Sequence, residues 1–261
     1  MKKMSHKSAK ASHYSHQAKE YDAFNEANSK VTNQTIETLL KNYKVKSVLD
    51  LTCGTGSQVF WLLKRGFAVV GSDINANMLK MARTRAKTEK RAVKFIKGDM
   101  RTSKIGQFDA VITIFNAIGH LTKSDFEKAI RNIYANLNPG GLYIFDIYNL
   151  SYLLHGNNVT TLTIDWQTLR GNTKSRIVQY STIDKEGILA SYTTSCVQKN
   201  NGKPQISHDV QTLQIYSVKE LKKMLERNGF KVQGQCAING EKFEDTKSER
   251  IVMIAKKPSS N

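Results

Sequence analysis

Apolar positions in this chain follow two alternating spacings, and the alternation predicts its elements. Short apolar runs bounded by turn residues read as buried strands at 47–52, 67–72, 93–96, 108–115 and 142–147. Between them the spacing becomes three and four, as a helix requires. Helices are expected at 57–65, at 76–87 with Met78, Leu79, Ala82 and Ala86 on one face, and at 121–137 with Phe126, Ile130, Ile133 and Leu137. Asn138-Pro139-Gly140-Gly141 is expected to stop the last helix, since proline cannot extend it and glycine accepts a left-handed cap. Strands separated by helices argue for an α/β fold with a doubly wound, mostly parallel sheet.

The pattern changes over 150–216, where strand-like runs at 162–166, 175–183, 188–197 and 210–216 are broken by Gly171-Asn172, Asp184-Lys185-Glu186-Gly187 and Asn200-Asn201-Gly202. This stretch reads as an antiparallel β insertion. Ser217 then caps a helix at 218–227, stopped by Asn228-Gly229, and strands at 230–237 and 250–255 bring the main sheet to seven. At the other end, residues 1–19 are polar and read as a mobile arm. It leads into a helical segment around Tyr21-Asp22-Ala23-Phe24-Asn25 and a second helix at 29–43. The expected organisation is an arm with helices (1–45), a Rossmann-like core (46–149 and 217–261) and the β insertion (150–216).

Composition adds bounds. At 261 residues and 39% hydrophobic the chain can bury a real core. It has no run of 18 apolar residues, and its N-terminus lacks the apolar centre of a signal peptide, so a cytoplasmic protein without a membrane span is expected. Cys53, Cys196 and Cys236 are far apart and at no metal-ligand spacing, which suggests reduced thiols and no bound metal. The net charge of +18, with basic residues recurring from Lys80 to Lys104, suits either an anionic partner or solvated helix faces. No aromatic-interleaved RNA-binding signature accompanies it.

The candidate chemistry centres on Val48-Leu49-Asp50-Leu51-Thr52-Cys53-Gly54-Thr55-Gly56-Ser57, a strand, glycine turn and helix start where a nucleotide-like cofactor can approach the backbone. A dinucleotide fingerprint would need a third glycine where Val59 stands, and no Gly-Lys-Ser/Thr follows, so pyrophosphate binding is disfavoured. The Asp-x-x-x-Gly-x-Gly spacing, with Asp73 ending the next strand, instead resembles the first two motifs of class I S-adenosylmethionine-dependent methyltransferases. The resemblance implies that Asp50 supports the methionyl end, that Gly54 and Gly56 let backbone approach, and that Asp73, with Ile74 beside it, accepts both ribose hydroxyls. In the same way Gly98-Asp99-Met100 resembles the adenine clamp, with Asp99 taking the exocyclic amine and Met100 packing on the ring. Taken singly, Asp73-Ile74-Asn75 also fits a helix cap, Asp99 a turn acid, and the glycines a plain tight turn. Thr52 departs from the glycine many relatives carry, and is small enough to fit.

After the fourth strand, Ile114-Phe115-Asn116-Ala117-Ile118-Gly119-His120-Leu121 is similar to a segment of the sugar amine N,N-dimethyltransferases, and more loosely of the glycine and sarcosine N-methyltransferases. That implies a general base at His120, Phe115 at the cofactor, and an acceptor lid in the insertion, where Trp166, Arg170, Arg176, Tyr180 and Tyr192 offer aromatic walls and cations. About half of these should face the site, since neighbours on a strand point opposite ways. His120 also fits a helix-start histidine bonded to backbone. Tyr21 or Tyr14 fits an arm residue that closes over the cofactor and equally a surface aromatic packing on an amphipathic helix, while Asn25 stands where the sugar enzymes have an active-site tyrosine, which argues against an identical substrate and mechanism. The expected activity is methyl transfer from S-adenosylmethionine, giving S-adenosylhomocysteine, to a small-molecule acceptor, foremost an amine and with anionic molecules among the candidates. An RNA methyltransferase is an alternative, although no Asn/Asp-Pro-Pro-Tyr/Phe motif is present; so is a non-catalytic S-adenosylmethionine-binding protein, and a nicotinamide oxidoreductase ranks last. Nitrogen against oxygen methylation, the number of methyl groups and a homodimer stay open.

Overall fold

The computed structural model describes residues 4–11 and 21–259, with only the helical backbone described for 21–28. Its main sheet has seven strands: β1 (Ser47–Asp50), β2 (Ala68–Asp73), β3 (Lys94–Lys97), β4 (Phe108–Thr113), β5 (Leu137–Tyr148), β10 (Lys231–Cys236) and β11 (Arg250–Lys256). They lie in the order β10-β11-β5-β4-β1-β2-β3, with β11 antiparallel to both of its neighbours and all other pairs parallel. The remaining strands, β6 (Ile164–Arg170), β7 (Thr173–Ile183), β8 (Ile188–Lys199) and β9 (Gln205–Gln214), form a separate antiparallel meander.

The main sheet is buried on both faces, which explains why its strands read as continuous apolar runs. Val48 of β1 faces Ile36 and Leu40 of α1 (Tyr21–Asn42), Val59, Phe60 and Leu62 of α2 (Ser57–Leu63), and Leu79 and Ala82 of α3 (Ala76–Thr88). Leu49, the next residue, faces the opposite cluster with Phe126, Ile130 and Ile133 of α4 (Lys123–Ala135) and Leu221, Met224 and Leu225 of α6 (Val218–Arg227). Phe126 is fully buried and meets the rings of Phe145 and Tyr216 at 5.8 and 5.5 Å between centroids. Phe126→Ala should therefore cost about 3–5 kcal/mol, read as a lower urea midpoint with an unchanged slope.

Several expected boundaries move. The two N-terminal helical segments are one helix, α1. Leu121 is extended and Thr122 caps α4, so the helix expected at 121–137 is shorter at both ends, and a 3₁₀ turn, Ala117–His120, precedes it. Asn138-Pro139-Gly140-Gly141 does not form the helix stop: α4 ends at Ala135 with Asn136 as its C-cap, and these residues are a bulge inside β5. There the register against β4 jumps from Phe108↔Leu137 to Ala110↔Leu142, which Gly140 permits with φ of 78°. In the insertion, residues 150–162 are short helical turns, α5 (Leu150–Leu154) and a 3₁₀ segment, before the meander starts. Residues 4–11, expected within a mobile arm, are tied down by the hydrogen bonds described below. Among the described residues no helix is long and apolar enough to cross a membrane.

Candidate active site

The strand order reverses between β1 and β4, and open sheets of this kind bind ligands beyond the strand ends at such a switch point. Here β1 ends at Asp50 and β4 at Thr113, and a pocket forms over their C-terminal ends. It is lined by the glycine turn (Leu51, Thr52, Gly54), the β2 end (Asp73, Ile74, Asn75), the turn after β3 (Gly98, Asp99, Met100, Arg101), the segment after β4 (Ile114, Phe115, Ala117, His120, Leu121), and Met78. Residues Ala9, Lys10 and Ala11 of the arm complete it.

Seven of the ten site residues expected from sequence thus meet in one cavity: Gly54, Asp73, Ile74, Asp99, Met100, Phe115 and His120. Asp50 lies beneath the turn and not on the pocket wall, 1% exposed. One of its oxygens accepts from the Thr52 N–H at 3.3 Å; the other, Oδ2, has no partner among the described residues. Burial pushes its pKa up to about 8, with the Thr52 N–H opposing and the nearby charge of Asp73 adding to the rise. Gly56 also stays off the wall. It turns the backbone into α2 at φ of 95°, and a Cβ there would meet Phe60 at 2.8 Å, so its glycine serves turn and packing. At Gly54 a Cβ would meet nothing within 4 Å, leaving the approach to the backbone open. The Tyr21 side chain and all of Tyr14 lie outside what the structure describes.

Asp73 is held in place by backbone donors, among them Gly54 N at 2.8 Å and Asn75 N at 2.7 Å. The cap of α3 is Asn75, whose side chain accepts from Asn77 and Met78 N–H groups, so Asp73 is not the helix cap its sequence neighbours allowed. Burial raises the Asp73 pKa despite these hydrogen bonds. Asp99 differs most from expectation. Both of its oxygens are taken by Arg101, whose Nε lies 3.0 Å from each and whose Nη2 lies 2.6 Å from Oδ2. Burial alone would raise the Asp99 pKa, but the Arg101 hydrogen bonds win and lower it. A carboxylate has about four lone-pair positions, so an incoming amine must share acceptors that Arg101 already uses.

Arg101 also reaches Asp125 on α4 at 2.9 Å, and Asp125 accepts from Ser8 of the arm at 2.6 Å. Ser8 Oγ in turn accepts from Thr122 N, Ala9 N donates to the His120 carbonyl at 2.8 Å, and His6 bonds the Leu121 carbonyl at 3.1 Å and Thr212 of β9 at 2.9 Å. Sequence reasoning missed Arg101 and residues 9–11. For Arg101 a local signal existed, a cation two residues after Asp99; the arm had none. In the meander, register puts Arg176, Tyr180 and Tyr192 on one face and Trp166 and Arg170 on the other. Arg176 is spent on Asp165, Tyr180 stacks on Tyr192 at 5.0 Å, and none of the five lines the pocket. The basic stretch forms a shallow groove of about 460 Å³ along α3 and β3, lined by Arg83, Lys87, Lys90 and Arg91 and apart from the glycine turn.

A seven-stranded sheet with one antiparallel strand next to its edge, an acid before a glycine turn and a second acid closing β2 define a class. Residues 48–141 match the family model for a methyltransferase domain, and this part of the chain is a methyltransferase domain of the S-adenosylmethionine-dependent class. Over most of its length the chain is similar to a protein of Geobacillus sp. that is named as a methyltransferase, 26% identical over 89% of this chain and 94% of that one. It is also similar to the glycine/sarcosine N-methyltransferase of Parasynechococcus marenigrum, at 38% identity over 46% of this chain and 44% of the relative, so it spans less than half of that enzyme. The fold is shared with an S-adenosylmethionine-bound amino pentose methyltransferase of calicheamicin biosynthesis from Micromonospora echinaspora, with a TM-score of 0.71, 20% identity and coverage of 91% and 96%.

Proposed function

We propose that the protein transfers a methyl group from S-adenosylmethionine to the amine nitrogen of a small molecule. The observation that carries the cofactor half is Asp50. It holds a buried carboxyl oxygen with no partner among the described residues, directly beneath the glycine turn that lines the pocket, and in this reading the cationic methionyl ammonium settles against that turn and draws on its charge. Asp73 is suited to the vicinal ribose hydroxyls, and Met100 to a ring face. Bound there, S-adenosylmethionine supplies an activated methyl group. His120, on the pocket wall in the 3₁₀ turn after β4, would take the proton that an amine sheds. Much of the rate would come from positioning. The antiparallel meander, which packs its inner end on the 117–120 turn, would cover the acceptor; a Cβ on Gly119 would lie only 3.3 Å from the Gln214 carbonyl.

The amine acceptor is favoured by relatives whose names specify glycine, sarcosine and an amino sugar. The test is a thermal-shift titration with S-adenosylhomocysteine beside NADH and a short RNA. Ligand at about 100 times its Kd adds about 2.7 kcal/mol and should raise Tm by several degrees. A shift with S-adenosylhomocysteine alone is expected, followed by labelled-methyl transfer to a panel of small amines. A shift with NADH or RNA alone would reject the reading, and turnover on hydroxyl acceptors only would reject its amine half.

A further inference from the structure

Two consecutive residues on the pocket side of β4, Phe115 and Asn116, have left-handed backbones, with φ of 64° and 57°. Asparagine tolerates this conformation; a bulky aromatic residue does not adopt it without cost. Something must hold Phe115 there. Its N–H donates to Asp146 Oδ1 at 2.6 Å, a short charge-assisted bond. Asp146, in β5, is fully buried and pairs with Arg250 of β11, whose side chain is 14% exposed. In the strand register Asp146 stands opposite Val252, so Arg250 reaches it diagonally on the same face. The guanidinium also lies over the rings of Tyr148 and Phe115, at 5.1 and 6.0 Å from their centroids. Asn116 is fixed in parallel, its Oδ1 accepting from Tyr148 N at 2.9 Å. Asn116 then starts the turn that carries Ala117 and His120 into the pocket.

We infer that the Asp146–Arg250 pair is a positioning device: its carboxylate holds the strained Phe115–Asn116 backbone and thereby sets where Phe115 and His120 stand against the cofactor. Neither residue of the pair lines the pocket; both act through the backbone of Phe115. A buried pair kept for stability alone would be replaceable, since apolar residues of similar volume commonly substitute for buried ion pairs without loss. A pair kept for positioning would not be. The inference rests on the pocket being the S-adenosylmethionine site.

The experiment compares wild type with two double variants. Asp146→Leu/Arg250→Met removes both charges and the acceptor of the Phe115 N–H; Asp146→Asn/Arg250→Met removes the charges and keeps an acceptor oxygen. Tm and S-adenosylhomocysteine affinity by calorimetry are read for each. The Leu/Met protein is expected to melt within a few degrees of wild type and to bind at least tenfold more weakly, and the Asn/Met protein to recover most of the affinity. Equal affinity of wild type and the Leu/Met protein overturns the inference alone. Failure of wild type to bind S-adenosylhomocysteine overturns the site assignment and this inference with it. Should the Leu/Met protein not fold, amide exchange of Phe115 in the wild type decides: strong protection is expected in this loop, and rapid exchange would show that Asp146 does not hold it.

Discussion

Replacing His120 by alanine should slow methyl transfer by about 10²–10⁴-fold, the usual worth of a general base, while S-adenosylhomocysteine affinity stays nearly unchanged. His120 ends a 3₁₀ turn, and its carbonyl accepts from Ala9 N of the arm, a bond that alanine retains. The turn itself is held by Gly119 N to the Asn116 carbonyl at 2.8 Å and by the packing of Ile118, which is fully buried. The readout is a single-turnover rate with the best amine found in the panel, compared between the two proteins at one pH so that protonation of the acceptor affects both alike. An alanine variant with full turnover would remove His120 from the mechanism and leave it as a helix-start histidine bonded through its backbone.

Asp50→Asn should act in the opposite way, on affinity and on stability. Losing a charge-assisted hydrogen bond to a buried ammonium is worth about 1.5–3 kcal/mol, so S-adenosylhomocysteine should bind about 10- to 150-fold more weakly. The pH dependence makes the test sharper. In the folded protein the Asp50 pKa stands at about 8, against the ordinary value of 3.8. Between those limits the unfolded chain has lost a proton that the folded chain still holds, so this residue's contribution to stability is complete below about pH 4 and declines as pH rises toward 8. Urea midpoints should show that slope in wild type and lack it in the asparagine variant. Ligand binding at pH 7 should also expel about one proton from wild type, because a bound ammonium favours the ionised carboxylate, and calorimetry in buffers of different ionisation enthalpy measures it. Binding without proton release would mean that Asp50 does not meet the cofactor.

Taken together, the two variants separate the halves of the proposed function. One leaves ligand binding and stops chemistry, and the other weakens binding at a site remote from the transferred group. The arm joins the meander to the turn after β4, since His6 bonds Thr212 on β9 while Ala9 N donates to the His120 carbonyl.

Much of this was legible in the chain itself. Strands buried on both faces need apolar residues at every position, helices need them every three or four, and a turn into α2 at φ of 95° needs glycine at Gly56. Such requirements are local, so β1 to β5, α6 and the glycine turn after Asp50 could be read from neighbours in sequence. The same locality misled at Pro139-Gly140-Gly141, where residues that stop a helix in isolation are accommodated in a bulge because β4 and β11 flank β5 on either side. Only the tertiary structure decided what Arg101 reaches beyond Asp99, where residues 4–11 lie, and what fixes Phe115. Those outcomes join Arg101 to Asp125, Ser8 to Asp125, and Asp146 to Arg250 across 24, 117 and 104 positions. A pair of opposite charges has no periodicity to announce its partner, and burial, which gives these contacts their strength, exists only once the sheets and helices have packed.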